Sequence, residues 1–399
     1  MIEFTTGGSA PWVGRHLAFN GAEVIRVESR AHPDLSRLYI SPKDPSLGQQ
    51  PDLSPRLVEW HAGKLHTALN LSRPGGLDLV KRLIDVSDIV IVNLSAGVMG
   101  RWGLEYEDLK SRNPGLVLLN MPGFGMTGPY RDYVSFGATI EAVSGLATST
   151  GYADGDPIGS GLFHFPDWLN GMQGLTAIFA ALDRRRHTGL GDYIDMSQME
   201  VMVSALGPLL LQAEFDNDAP ERMGNYTLAA APHNAYPCEG DDSWCVIAVF
   251  TQDEWRGLCR AMGKPRLADD PRFATHIDRL RNLDKLDAMV AEWTSTRDAT
   301  DVMHLLQEAG VRAAKVNRID ELLFDANLRH HGFFQEIPHL RKGKTLATGL
   351  AIDLVDTPGY VTRSGPGWGS ENDYVFREVL GLSDSGFDRL VASGAIEVG

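Results

Sequence analysis

The sequence predicts an α/β fold in which a parallel sheet is covered by helices, and three observations carry this. Short β-type runs alternate with segments of helical periodicity; the opening "MIEF", "SAPWVGRHLAFNG" and "AEVIRVES" reads as strand, helix, strand; and "DIVIVN" is apolar over four successive residues, as a fully buried strand is.

The elements follow in order. After the opening unit, "GGLDLVKRLIDV" has the spacing of an amphipathic helix, "DIVIVN" is a buried strand, "YEDLKSRNP" a short helix and "GLVLLNMP" another strand. Helical patterns run from Phe136 to Leu146 and from Trp168 to Arg186, and "TGLGDYIDMS" turns into a strand leading to a helix near Gln198. The polar, turn-rich "EFDNDAPERMGNYTL" reads as a linker. Beyond it come strands in "HNAYPC" and "SWCVIAVF", three helices for which Thr251 and Asp298 supply two caps, and the strand-like "VRAAKVN". From about Gly332 the pattern changes to β-type runs and ends in the helical "DYVFREVLG" and "SDSGFDRLVASG". The organisation expected is a large first part over residues 1–213, a smaller α+β unit over 225–331, and a final segment over 332–399.

Composition narrows the function. With 52 acidic against 37 basic residues the formal charge is -15, which disfavours nucleic acid as a partner; an anionic ligand needs a local basic pocket. No run of about 18 apolar residues and no basic-then-apolar leader is present, so a soluble cytoplasmic protein without a membrane span is expected. Cys238, Cys245 and Cys259 have neither disulfide-framework nor metal-ligand spacing, and the pair His330 and His331 lacks companion ligands, so no metal is expected.

Several sites have the right residues for chemistry. "GFGMTG", residues 123–128, fits the letters of a dinucleotide fingerprint, yet Pro129 follows where a helix must open, which favours a plain turn. "TTGGSAPW" joins the first strand to the first helix and is the better phosphate cradle, with Glu28 placed as a ribose-binding acid; steric need for glycine in such a turn is the alternative. Lys64, Arg101 and Arg30 are candidate positive charges near strand ends, or else solvated surface residues, and Asn93 ends "DIVIVN" where open sheets bind ligands. Asp167, in "FHFPDWLNG", precedes a long helical run and reads either as an amino cap or as a carboxylate nucleophile shielded by Phe163, Phe165 and Trp168.

The chain resembles the family III CoA-transferases, the family of formyl-CoA:oxalate and carnitine CoA-transferases. The resemblance rests on "GAEVIRVE", "GKLHTALNLSRPGG", "DIVIVNLSAGVMGRWGL", "NPGLVLLNMPGFGMTGPY", "FPDWLNGMQGLTAIFAALDRRRHTGLGDYIDMS", "PHNAYPC", "DDPRFATHIDRLRN", "LQEAGVRAAKV" and "FREVLGL", in order along the chain. It implies a Rossmann-like large domain with an inserted smaller α+β domain, in an interlocked dimer. It also implies that Asp167 is the nucleophile, forming anhydride and aspartyl-CoA thioester intermediates, with a CoA thioester as substrate and no permanently bound cofactor. CoA contacts are implied at Thr6, Gly7, Gly8, Ser9, Leu69, Ser72, Asn93, Leu94, Arg101 and Gln198. Ser29 stands where formyl-transferring members have a CoA-binding arginine, which points to its neighbour Arg30. Val134 replaces a lysine contact, and Gly137 replaces an active-site glutamate. The run "GPYRDYVSFGATIEAVSGL" looks most like members acting on aromatic succinates such as benzylsuccinate. The expected partners are an acyl-CoA donor, a carboxylic acid and a second similar chain, as homodimer or heteromer. α-Methylacyl-CoA racemases share the fold, but their histidine matches Phe136; a paired subunit of a heteromeric transferase and a dehydrogenase complete the alternatives.

Overall fold

A computed structural model describes residues 1–38, 51–161, 165–339 and 342–398. Six strands, β1 (Ile2–Phe4), β2 (Ile25–Glu28), β3 (Leu65–Ala68), β4 (Ile89–Val92), β5 (Val117–Asn120) and β6 (Asp192–Asp195), form one sheet in the order β3-β2-β1-β4-β5-β6. Every pairing in it is parallel. This is the doubly wound order, in which the direction of winding reverses between β1 and β4.

Alternate residues of β4 and of β5 feed two different cores. Val90, Val92 and Leu118 pack with Leu79, Leu83 and Ile84 of the helix Gly76–Asp85. Ile89, Ile91, Val117 and Leu119 pack on the opposite face with Val13 and Leu17 of the helix Ser9–Phe19 and with Ile178 of the helix Phe165–Thr188. A strand whose period-two side chains meet apolar helix faces on both sides is apolar on both, which is why "DIVIVN" shows no alternation.

β3 has no such signature. His66 and Thr67 are fully buried polar residues within it; His66 Nε2 lies 2.8 Å from Glu28 Oε2, and the Thr67 hydroxyl donates to Asn372 Oδ1 at 3.0 Å. Distant partners make these polar residues compatible with a buried strand.

The last part of the chain packs on this sheet. Val375, Phe376 and Phe387 enter the first core, and backbone hydrogen bonds tie Asn70 N to Ala395 O at 2.8 Å and Glu397 N to Ala68 O at 2.9 Å. A hairpin of β10 (Phe334–His339) and β11 (Gly343–Thr348) precedes it.

The chain divides into two compact units, one of Met1–Ala147, Gly159–Ala219 and Ala326–Gly399, the other of Thr148–Ile158 and Pro220–Asp325. In the second, β7 (His233–Pro237), β8 (Trp244–Ala248) and β9 (Arg312–Lys315) form an antiparallel sheet in that order. Its core holds Trp255, Leu258, Phe273, Leu286 and Val290. Thr251 and Glu254 form a reciprocal capping box, and Asp298 Oδ1 accepts from Thr300 N at 2.7 Å, so both sequence-read caps are in place. All three cysteines are buried free thiols in this unit. Among the described residues no helix is long and apolar enough to cross a membrane.

Candidate active site

The carboxyl ends of β1, β4 and β5 surround a cleft at the reversal of the sheet, where an open α/β fold leaves room for a ligand between diverging loops. The turn after β1 forms one wall, and Asn93, directly after β4, ties it down. Asn93 Oδ1 accepts from Thr6 N at 2.9 Å while Asn93 Nδ2 donates to Thr6 O at 2.7 Å. One side chain thus satisfies both polar groups of one backbone residue, and the two loops flanking the reversal are locked together.

Gln198 closes another side. Its Nε2 donates to Met121 O at 2.7 Å and its own N–H to Pro122 O at 3.2 Å, joining the helix Gln198–Ala205 to the end of β5. Thr6, Gly7, Ser9, Asn93, Leu94 and Gln198 all line the cleft.

Asp167 is the third residue of the helix Phe165–Thr188, so it lies in the first turn and is not the cap that precedes the helix. A Cβ built on Gly8 would stand 2.7 Å from Asp167 Oδ2 and 3.1 Å from its Cγ. The carboxyl group therefore occupies space that only glycine at position 8 leaves open, beside the amino end of the helix Ser9–Phe19. A helix amino end favours negative charge, whether resident or developing during a reaction.

The two helices meet closely enough to set this placement. A Cβ on Gly171 would lie 2.8 Å from Trp12 Cδ1 and 3.1 Å from Ser9 O. Trp168 meets Trp12 edge-on at 4.2 Å. Of the aromatic residues expected to shield Asp167, Trp168 is packed, Phe165 is 47% exposed, and Phe163 lies outside the described residues.

Positive charge collects on the rim. Arg101 ends the short helix Val98–Arg101, and a Cβ on Gly97 would lie 3.5 Å from Arg101 Nη1 and 4.0 Å from Arg131 Nη2. Arg131 lines the cleft with Phe124, Tyr133 and Phe136. The sequence reading passed over Arg131; its signal was a basic residue between aromatic ones in "GPYRDY", which no periodicity marks.

The remaining expected contacts lie farther along the sheet edge. The Leu69 side chain is fully buried, and its N–H donates to Glu28 O at 2.8 Å. Ser72 is exposed and its N–H donates to Asn70 Oδ1 at 3.0 Å. Arg30 is bound to the end of the chain, its N–H donating to Glu397 Oε2 at 2.7 Å and its Nη2 to Val398 O at 3.1 Å, with the guanidinium 5.2 Å from the Trp368 ring centre.

Two sequence expectations need correction. Lys64 is neither a surface charge nor a free ligand: it is fully buried, its Nζ donating to Glu3 Oε1 at 2.7 Å and Pro11 O at 2.8 Å, and burial lowers its pKa to about 8 against the pull of Glu3. Glu28 is engaged by Arg26, Arg37 and His66 instead of facing a ribose. Burial alone would raise its pKa, but Arg26, the His66 hydrogen bond and Arg37 hold it well below the usual carboxylate range.

The turn reading of residues 123–128 agrees with the structure. No helix opens at Gly128, the next one being Gly137–Val143, and Met126 N donates to Asp195 Oδ1 at 3.0 Å. A dinucleotide fingerprint without its helix lacks the amino-terminal N–H groups that bind pyrophosphate. Among the described residues no cluster of three His, Cys, Asp or Glu is placed to hold a metal ion.

A doubly wound sheet with a ligand cleft at its reversal, a basic rim and a carboxylate beside a helix amino end defines an α/β enzyme suited to a nucleotide-bearing substrate. Residues 1–372 match the family model described as CoA-transferase family III, and the chain belongs to that family. It is 32% identical over 399 residues to succinyl-CoA–D-citramalate CoA-transferase of Chloroflexus aurantiacus, covering 99% of this chain and 96% of that one. Against succinate–glutarate CoA-transferase of Agrobacterium fabrum the identity is 29%, over 95% of this chain and 94% of that one. The crystal structure of a CaiB/BaiF family protein from Brucella suis superposes with a TM-score of 0.85 at 27% identity, covering 95% of this chain and 97% of that one. The protein is accordingly a CoA-transferase, acting on CoA thioesters and acids.

Proposed function

We propose that the protein moves CoA from an acyl-CoA donor, with succinyl-CoA the first to test, to a carboxylic acid through covalent intermediates on Asp167. The observation that carries this reading is the position of the Asp167 carboxyl group against Gly8 at the amino end of the first helix. The names of the succinyl-CoA-using relatives support the choice of donor.

The Asp167 carboxylate attacks the donor thioester carbonyl, forming a mixed anhydride and expelling CoA thiolate. The thiolate attacks the aspartyl carbonyl, releasing the donor acid and leaving an aspartyl-CoA thioester. The acceptor carboxylate attacks that thioester, giving a second anhydride and thiolate; thiolate attack on the acceptor's carbonyl then releases the new acyl-CoA and regenerates Asp167. Each step exchanges one acyl bond for another, so the thioester's energy is conserved without ATP. N–H groups of the Gly7–Ser9 turn are assigned to the tetrahedral oxyanions.

CoA is assigned to the cleft lined by Thr6, Ser9, Asn93, Leu94 and Gln198, with Arg101 at its rim and Arg30, Leu69 and Ser72 as outlying contacts. The unit carrying β1–β6 is read as the catalytic domain and the other as its insertion, in a cytoplasmic homodimer or a pair with a similar chain. An aromatic or branched dicarboxylic acid is the acceptor class to try first. Racemisation is disfavoured because Phe136, not an imidazole, lines the cleft.

The test is incubation with a panel of acyl-CoA donors, followed by intact-mass and peptide mass spectrometry. A CoA adduct on Asp167, lost in Asp167→Ala with the fold retained by circular dichroism, is expected. Undiminished transfer by Asp167→Ala would overturn the assignment.

A further inference from the structure

We propose that Glu141 is a positioning residue for the transfer reaction: acting through the Ser160 hydroxyl, its buried carboxylate fixes the amino end of the helix that carries Asp167. This rests on the reading of Asp167 as the nucleophile and adds to it the groups that hold it in place.

Phe165 is the first residue of that helix and Asp167 the third. The first N–H groups of a helix find no carbonyl within it, and they depend on acceptors from outside. Here Ser160 Oγ accepts from Phe165 N at 3.0 Å, two residues before Asp167. The close approach of Gly171 to Trp12 holds the helix one turn farther on, so the Ser160 bond is what secures its first turn.

A serine hydroxyl can turn its single proton toward any neighbouring acceptor. Glu141, in the helix Gly137–Val143, removes that freedom. Its Oε1 accepts from the Ser160 hydroxyl, and its Oε2 accepts from Ser160 N at 3.2 Å. With the proton committed to a carboxylate, the lone pairs of Ser160 Oγ are left for Phe165 N, and successive hydrogen bonds strengthen one another. Gly159 leaves room for this arrangement. Its φ is +66°, and a Cβ on it would stand 2.8 Å from Glu141 Oε2.

Glu141 is only 6% exposed, and both hydrogen bonds to its carboxyl group among the described residues come from Ser160. No basic side chain pairs with it among the described ion pairs. Burying a carboxylate costs free energy that its hydrogen bonds must offset, so Glu141 and Ser160 form one unit. Whatever the carboxylate does for the helix end, it does through that serine.

A kinetic double-mutant cycle tests this, with Glu141→Ala, Ser160→Ala, the double variant and Glu141→Gln. The readouts are the single-turnover rate of CoA-adduct formation on Asp167, CoA affinity by calorimetry, and thermal melts as the fold control. Each alanine variant is expected to slow adduct formation by about ten- to a hundredfold, with CoA affinity within about twofold of wild type. The double variant is expected to be no slower than Ser160→Ala, because Glu141 then has nothing to act through. Glu141→Gln can still accept from Ser160 N and donate to Ser160 Oγ, and it is expected to recover most of the rate. Ser160 is exposed, so Ser160→Ala keeps the fold and decides the matter even if Glu141→Ala does not fold. A wild-type adduct rate in Ser160→Ala, multiplicative losses in the double variant, or a loss seen only as weaker CoA binding would each overturn the proposal. No adduct in the wild type would overturn the reading of Asp167 and this proposal with it, whereas an adduct formed equally fast in every variant would overturn this proposal alone.

Discussion

Asp167 and Gly8 share one space: the Asp167 carboxyl group fills the position beside residue 8, its Oδ2 only 2.7 Å from where a Cβ would be. Gly8→Ala is therefore expected to displace the carboxyl group without disturbing either helix core. A misplacement on the order of 1 Å of a reacting group lowers a rate by about a hundredfold. We expect that loss in the single-turnover rate of CoA-adduct formation, with a melting temperature within a few degrees of wild type. Wild-type adduct kinetics in Gly8→Ala would mean that the observed contact has no bearing on the reaction.

Asn93 and Thr6 make a second prediction. Asn93→Asp keeps the acceptor for Thr6 N but replaces the donor to Thr6 O by a second oxygen, turning one of the two hydrogen bonds into a repulsion. A loss of about 1–2 kcal/mol is expected in urea unfolding, together with weaker CoA binding because the turn is no longer held. If Asn93→Asp lowers stability but binds CoA as tightly as the wild type, the clamp serves the fold alone.

The protein is expected to lose stability on acidification well above the carboxylate range. Burial lowers both His16 and His66 to about 4 in the folded protein, from the ordinary 6.5. Between those values the unfolded chain takes up protons that the folded chain refuses, so stability is present above pH ~6.5 and falls as pH drops toward 4. The depressed Glu28 adds a further loss below the ordinary carboxylate pKa. The urea midpoint should therefore be lower at pH 5 than at pH 7.5, and the difference should shrink in His16→Gln. A midpoint that does not fall over this interval would show that these imidazoles are protonated in the folded state.

What the sequence made legible follows from how local each signal is. Strands β4 and β5 are apolar runs whose burial on two faces is written in consecutive residues, and Asn93 was found because it ends one of them; β1 and β2 show as short runs of alternating apolar and charged residues. β3 was missed because His66 and Thr67 read as polar, and their partners Glu28 and Asn372 lie far away in the chain. Lys64 misled for the same reason, since its carboxylate partner is 61 residues distant. Asp167 was visible as an acid at a helix start, but its contact with Gly8 depends on two helices meeting at Gly171 and Trp12. Arg131 was invisible because its relation to Arg101 is made by a loop without periodicity.

The buried pair Lys64–Glu3 allows the sharpest test of how the first strand is held. Both side chains are fully buried, 2.7 Å apart, and Glu3 sits in β1, whose end carries the turn that meets Asp167. Glu3 Oε2 has no hydrogen-bond partner among the described residues, so the pair is only partly compensated. Removing one member strands a buried charge, which typically costs ~3–5 kcal/mol, whereas replacing both by apolar residues is often neutral. Lys64→Met is accordingly expected to lower the unfolding free energy by about that amount at pH 7, and Glu3→Leu with Lys64→Met to recover most of it. Urea titrations of the wild type, the single and the double variant decide the matter. A double variant as unstable as Lys64→Met would mean that the bond from Lys64 to Pro11 O and its contact with His61, rather than Glu3, carry the role of this lysine.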